Sequence, residues 1–205
     1  MRVLFFFLPL LVPFMAVGQV LQKTYYPEGG GVKEEYYLLS ENSKVLDGPY
    51  KSYYRDGTVK NEGQFKNNKS VGLWKYYFAN GKLRMQGEID NGKALGTWDY
   101  YYENGSPKMQ GQMQAGKKVG SWIYFYKNGS RESEGEYAEG QKAGTWKYYH
   151  EQGVLKATED FSGQGSFYEE VYATGSIKSE GKRINGKQVE EWIFYSHIMS
   201  RRSLS

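Results

Sequence analysis

The chain predicts an all-β fold: an elongated antiparallel β-meander of about six to seven 24-residue hairpin repeats, forming an open ribbon. Three observations predict it. Glycines stand 24 residues apart at Gly48, Gly72, Gly96, Gly120 and Gly144. Two residues after four of them comes a tryptophan, at Trp74, Trp98, Trp122 and Trp146, with Tyr50 at that place in the first copy. Turn residues recur every 8–12 positions, and no 3.6-residue apolar period is sustained long enough for a helix.

The N-terminus reads as an address rather than as structure. Met1-Arg2 gives a short positive start. An apolar run from Val3 to Met15 follows, then small residues at Ala16-Val17-Gly18 before Gln19. That order is the plan of a secretory signal peptide, expected over 1–18. The run is shorter than the roughly 20 residues a spanning helix requires. No cysteine occurs anywhere, which excludes a lipoprotein anchor, a disulfide framework and a thiol nucleophile. The expected location is periplasmic or extracellular.

Residues 19–47 read as an N-terminal segment with a degenerate leading repeat, Tyr25-Tyr26-Pro27-Glu28-Gly29 echoing the later Tyr-Tyr-x-x-x-Gly run. The array proper is expected over 48–195. Nine residues after each leading glycine stands another, at Gly57, Gly81, Gly105, Gly129 and Gly153. Fifteen after it stand Gly63, Gly87, Gly111 and Gly135, then Glu159 in a decayed fifth copy. The sixth copy resumes two residues early, with Tyr168 at the tryptophan place, and a half unit ends at Tyr195. Residues 196–205 read as a frayed tail.

One unit shows the logic. Trp98-Asp99-Tyr100-Tyr101-Tyr102 is aromatic and β-favouring, and its two-residue period puts Trp98, Tyr100 and Tyr102 on one face. Asn104-Gly105 then signals a tight hairpin in which both residues take positive φ. The chain returns through Met109, Gly111 and Met113 on one face and turns again at Ala115-Gly116. Gly-Thr-Trp is expected to be the turn before each aromatic strand. Glycine weakens a strand unless a neighbour must come close, so each mid-strand glycine is expected to lie under an aromatic ring.

At two strands per unit and about 4.8 Å between strands, six to seven units make a ribbon roughly 60–70 Å long. It has little interior. That agrees with a mean hydropathy of −0.74 despite 20 tyrosines and 26 glycines.

The unit Gly-x-Trp-x-x-Tyr-x-x-x-Gly, followed by a Gly-x-apolar strand, resembles the MORN repeat over about 24–195. Its spacing and Tyr-Tyr-x-x-Asn-Gly turn are most similar to variant MORN repeats of exported bacterial proteins, often labelled YwqK-like antitoxin components of toxin–antitoxin systems. The resemblance implies an elongated β-meander and a scaffolding or binding role, with membrane-lipid binding proposed for some arrays. A signal peptide does not suit a cytoplasmic antitoxin.

The sequence holds no recognisable catalytic set. His150 takes the place of Phe78, Tyr102 and Tyr126 and reads as an aromatic substitute, and His197 has no evident partner. No cysteine or histidine cluster offers a metal site. Gly29-Gly30-Gly31 lacks the Lys-Ser/Thr of a phosphate loop and reads as a flexible link. Glu159-Asp160, Glu169-Glu170 and Glu190-Glu191 read as solvated turn charges. Lys60, Arg84, Lys108, Lys156 and Lys178 share one place in the unit and read as guards of exposed strands, the alternative being a basic stripe for anionic lipid or polysaccharide. A net charge of +4 gives no reason to expect nucleic acid.

The constellation with functional potential is the aromatic ladder Trp74, Tyr76, Trp98, Tyr100, Trp122, Tyr124, Trp146 and Tyr148, a candidate partner-binding strip. The expectation is an exported, non-enzymatic protein-binding or scaffold module without cofactor or metal. A cell-envelope carbohydrate or lipid binder is one alternative. An antitoxin-like neutraliser of a toxic protein is another.

Overall fold

Alternating aromatic and glycine-bearing segments, separated by turn residues, become alternating strands of one sheet. The computed structural model describes residues 18–196. The expected signal segment up to residue 17, and the tail from residue 197, lie outside the described residues. The strands are β1 (Val20–Tyr25), β2 (Val32–Leu38), β3 (Leu46–Tyr53), β4 (Val59–Lys66) and β5 (Lys69–Tyr77). Next come β6 (Leu83–Asp90), β7 (Lys93–Tyr101), β8 (Pro107–Gln114), β9 (Lys117–Phe125) and β10 (Arg131–Ala138). The last five are β11 (Gln141–Tyr149), β12 (Leu155–Asp160), β13 (Ser166–Val171), β14 (Ile177–Ile184) and β15 (Lys187–Phe194). They form one 15-stranded open sheet in which spatial order equals chain order. Every neighbouring pair is antiparallel; β5 with β6 and β6 with β7 are examples.

Two kinds of turn alternate, and their chemistry differs from the expectation at the Asn-Gly sites. In the β5–β6 loop, the Phe78 N–H donates to the Lys82 carbonyl at 2.8 Å and the Gly81 N–H to the Phe78 carbonyl at 3.0 Å. Gly81 is left-handed, with φ 79°, and Asn80 is not. Asn80 instead uses its side chain, Oδ1 accepting from the Lys82 N–H at 3.0 Å. This is a three-residue loop, a type I turn closed by a left-handed glycine, in place of the expected two-residue turn. Asp56, Asn104 and Asn128 repeat the side-chain bond. The two-residue turns with both positions left-handed are the others: Asn67-Asn68, Asn91-Gly92, Ala115-Gly116, Glu139-Gly140 and Asn185-Gly186.

The Gly-Thr-Trp segment is not a turn. Strand β7 runs through it as a bulge. Gly87 faces Trp98 and Glu88 faces Leu95, so one step on β6 spans three on β7, and Gly96 takes φ 68° to accommodate the excess. Bulges bend a strand and increase its twist. The same shift recurs where β9 meets β8 and β11 meets β10, so the bend returns once per unit. Gly29-Gly30-Gly31 is likewise not a flexible link. It closes the β1–β2 hairpin, with the Tyr26 N–H donating to the Gly31 carbonyl at 3.1 Å.

Neighbouring units are tied along the three-residue loops by tyrosine hydroxyls. Tyr54 donates to the Tyr77 carbonyl at 2.8 Å, Tyr102 to Phe125 at 2.7 Å and Tyr126 to Tyr149 at 2.7 Å. Phe78 holds the same place without a hydroxyl. Phe78→Tyr is therefore expected to add a bond to the Tyr101 carbonyl and to stabilise the array by about 1 kcal/mol. A urea midpoint that stays or falls would show that the place cannot accept the bond.

Candidate functional site

The ladder is built by the strand period and by the glycines. A β-carbon added to Gly111 would lie 2.2 Å from the Trp122 ring. The corresponding distances are 2.3 Å for Gly63 under Trp74, 2.2 Å for Gly87 under Trp98, 2.4 Å for Gly135 under Trp146 and 2.6 Å for Gly181 under Trp192. Each ring thus occupies the volume a side chain would need. The bulge supplies the second hold. It frees a carbonyl on the glycine strand, and the indole N–H takes it: Trp98 donates to Glu88 at 3.2 Å, Trp122 to Gln112 at 3.1 Å and Trp146 to Glu136 at 3.0 Å. The Trp74 indole nitrogen is buried without a hydrogen-bond partner.

Tyrosines fill the spaces between tryptophans. From Tyr50 to Trp146 successive ring centroids lie 5.7–6.5 Å apart. The tryptophans are buried, Trp74 and Trp98 at 5 % exposure and Trp122 and Trp146 at 0 %. Tyr76, Tyr100, Tyr124 and Tyr148 are half-buried. The tryptophans therefore serve as packing, and the tyrosines are the part of the strip that reaches solvent. Gly57, Gly81, Gly105, Gly129 and Gly153 all sit left-handed in the three-residue loops.

Cations lie over the ladder in its C-terminal half. The Lys118 ammonium is 4.2 Å from the Trp122 ring and donates to the Tyr124 hydroxyl at 2.8 Å. Lys142 is 4.1 Å from the Trp146 ring and donates to Tyr148 at 2.8 Å. Loss of water lowers both lysine pKa values. The Arg183 guanidinium sits 3.6 Å over the Tyr168 ring. These contacts were not read from the sequence. The signal was present in Lys118 and Lys142, 24 residues apart.

The opposite face carries tyrosine–glutamate pairs. Tyr53 donates to Glu35 at 2.7 Å, Tyr77 to Glu62 at 2.6 Å and Tyr149 to Glu134 at 2.7 Å. Burial first, then the accepting carboxylate, pushes each of these phenols up to about 12. Glu62 and Glu134 each immediately precede a mid-strand glycine, a regularity the sequence displays.

Two carboxylate readings are overturned. Glu169 and Glu170 lie half-buried on β13 and not in a turn, Glu169 accepting from the Thr158 hydroxyl at 3.2 Å and Glu170 from the Lys178 ammonium at 2.9 Å. Glu159 is not a solvated turn charge either. It lies on β12, 7 % exposed, accepting from the Tyr148 hydroxyl at 3.0 Å and from the Ser166 hydroxyl. It fills the place of a repeat glycine, and the residue in register with it on β13 is Tyr168, a smaller side chain than the tryptophan that faces the repeat glycines. Glu190 and Glu191 are exposed. Lys60, Arg84, Lys108, Lys156 and Lys178 are exposed, and Lys178 pairs with Glu170 at 2.9 Å. His150 is exposed beside a loop, and His197 lies outside the described residues. Among the described residues no group of histidines and carboxylates is arranged to hold a metal ion.

These features define a β-hairpin repeat array: one sheet of equivalent two-strand units, each locked to the next by a ring on a glycine. Four stretches, 46–67, 70–91, 118–139 and 142–162, match the family model of the MORN repeat variant. The stretch between the second and third carries the same places as Gly96, Trp98, Gly105 and Gly111. No curated protein matches the chain. Among solved structures, a chain of "Crystal Structure of TcdB2-TccC3" aligns at 11 % identity over 83 % of this chain, with a TM-score of 0.24. The aligned region spans 12 % of that chain's length.

Proposed function

We propose that the chain is a non-enzymatic repeat module that binds another protein along the ladder face. The observation that carries this is the row Tyr76, Tyr100, Tyr124 and Tyr148, whose half-buried rings are held at regular spacing by buried tryptophans. Stiff, amphipathic tyrosines give contact area at low entropic cost, and repeat arrays bind through such extended surfaces. The positive start and apolar run before Gln19 support export, so the partner would be an envelope or extracellular protein. The antitoxin-like form of the reading, in which that partner is toxic, rests on the resemblance alone.

The test places a photo-crosslinking phenylalanine at Tyr100 or Tyr124, on the ladder, and at Lys75 or Lys147, on the other face. The expected result with an envelope fraction is one discrete product from the ladder positions and none from the other face. Identical products from both faces, or none from either, would defeat the proposal.

A further inference from the structure

Three departures from the repeat meet at one place. Glu159 stands where other units have glycine. Arg183 stands where they have Phe65, Ile89, Met113, Tyr137 or Phe161. The spacing from Trp146 to Tyr168 is 22 residues where the other rings keep 24. Around this break the sheet forms a groove of about 600 Å³, lined by Lys142, Glu159, Phe161, Ser166, Arg183 and Asn185 among others.

Its charges are arranged and not cancelled. Both Glu159 oxygens are engaged, by Tyr148 and by Ser166. The nearest Arg183 nitrogen is 4.0 Å from Glu159, a loose pair. Lys142 lies 5.4 Å from the Phe161 ring centroid and donates to Tyr148. Two cations thus line the groove against one carboxylate, an excess of one positive charge. The walls add an aromatic face and neutral hydrogen-bonding groups, the usual mixture of a small-molecule site.

We propose that this groove binds a carboxylate-bearing sugar, a uronic acid, with its carboxylate between Lys142 and Arg183 and its apolar face on Phe161. A monoanion matches the single excess charge. A dianion such as phosphate meets Glu159, and a neutral sugar leaves the one excess positive charge without a partner. A free uronic acid and a uronate unit of a polysaccharide present this same chemistry. The site is separate from the protein-binding row of tyrosines and stands or falls without it.

The experiment titrates the full chain with D-glucuronate, D-glucose and inorganic phosphate, read by calorimetry and by the change in total tryptophan emission. Saturable binding of glucuronate is expected, with glucose and phosphate at least tenfold weaker. Lys142→Ala and Arg183→Met reproduce residues the array already holds at those places, Ala94 and Met113, so the fold should survive both. Each is expected to weaken glucuronate at least tenfold while far-ultraviolet circular dichroism still shows the folded sheet. Oligoglucuronides binding more tightly than D-glucuronate would identify a polysaccharide source, and equal binding a free acid; either supports the site. No saturable glucuronate binding by the folded chain would overturn the proposal. So would equal binding of glucose or phosphate, or variants that bind like the parent.

Discussion

Gly111→Ala is expected to destabilise the array by about 3 kcal/mol, the upper part of the range for overpacking a well-filled core. The added β-carbon would stand 2.2 Å from Trp122 Cδ2 and 2.4 Å from Cε2, inside the ring's own volume. The ring cannot retreat. Tyr100 and Tyr124 flank it at 6.3 Å each, and its N–H is tied to the Gln112 carbonyl. Strand β8 cannot yield either, because Gly111 is in register with Trp98 on one side and Trp122 on the other. Chemical denaturation measures the effect. Gly163→Ala is the control, since nothing lies within 4 Å of its β-carbon position, and it should change stability by no more than about 0.5 kcal/mol. Equal midpoints for the two variants would mean that the ring-on-glycine contact does not hold the units together.

The second large effect is alkaline unfolding. Tyr50, Tyr53, Tyr77 and Tyr149 keep their protons to about 12 in the folded chain, against an ordinary value of 10.0. Burial is the leading cause in each, and a glutamate acceptor the next. Between these values the unfolded chain has released phenolic protons that the folded chain still binds. This stabilisation is complete below pH 10 and is lost as pH rises through about 12. Lys118 and Lys142 act in the opposite sense, because their pKa values are lowered in the fold. Further phenols are raised by burial as well, Tyr124 and Tyr148 among them, so the tyrosines outnumber these two lysines, whose effect ends once the unfolded lysines have also lost their protons. Phenolate absorbance and near-ultraviolet circular dichroism, followed from pH 9 to 12.5, should change together in one steep step above pH 10. A broad titration centred at pH 10 with the dichroism intact would contradict the buried, glutamate-bound phenols.

Most of the architecture was legible because the unit is short and punctuated. The 24-residue spacing places Trp98 and Gly87 on adjoining strands, and the glycine requires a ring above it. What escaped was geometry that residue type alone leaves open. Asn80 and Asn91 precede glycine in identical dipeptides. Asn80 serves through its side chain and Asn91 through its backbone, because one hairpin closes over three residues and the other over two. Gly96 read as a turn because left-handed glycine is common to turns and bulges, and only the pairing across β6 separates them. Glu159 read as solvated because carboxylates usually are. Its burial follows from the shortened spacing, which exchanges the Trp-on-Gly pair for Tyr168 beside a larger residue. The ladder was legible for the opposite reason to the groove: the period marks where aromatics recur, while the groove lies where the period fails.

The strictly sequential order of the fifteen strands has a kinetic consequence. Large β-proteins fold slowly when distant segments must find each other before any contact is rewarded. Here each strand pairs only with its predecessor and successor, so every loop to be closed is a few residues long. Any one hairpin can serve as a template on which the next is laid down, and growth can proceed as the chain emerges from synthesis. Loss of structure runs the same course backwards. It begins at β1 or β15, the two strands with a single neighbour among the described residues, and peels inward. The tyrosine row in the middle of the sheet is thereby the part of the molecule that persists longest.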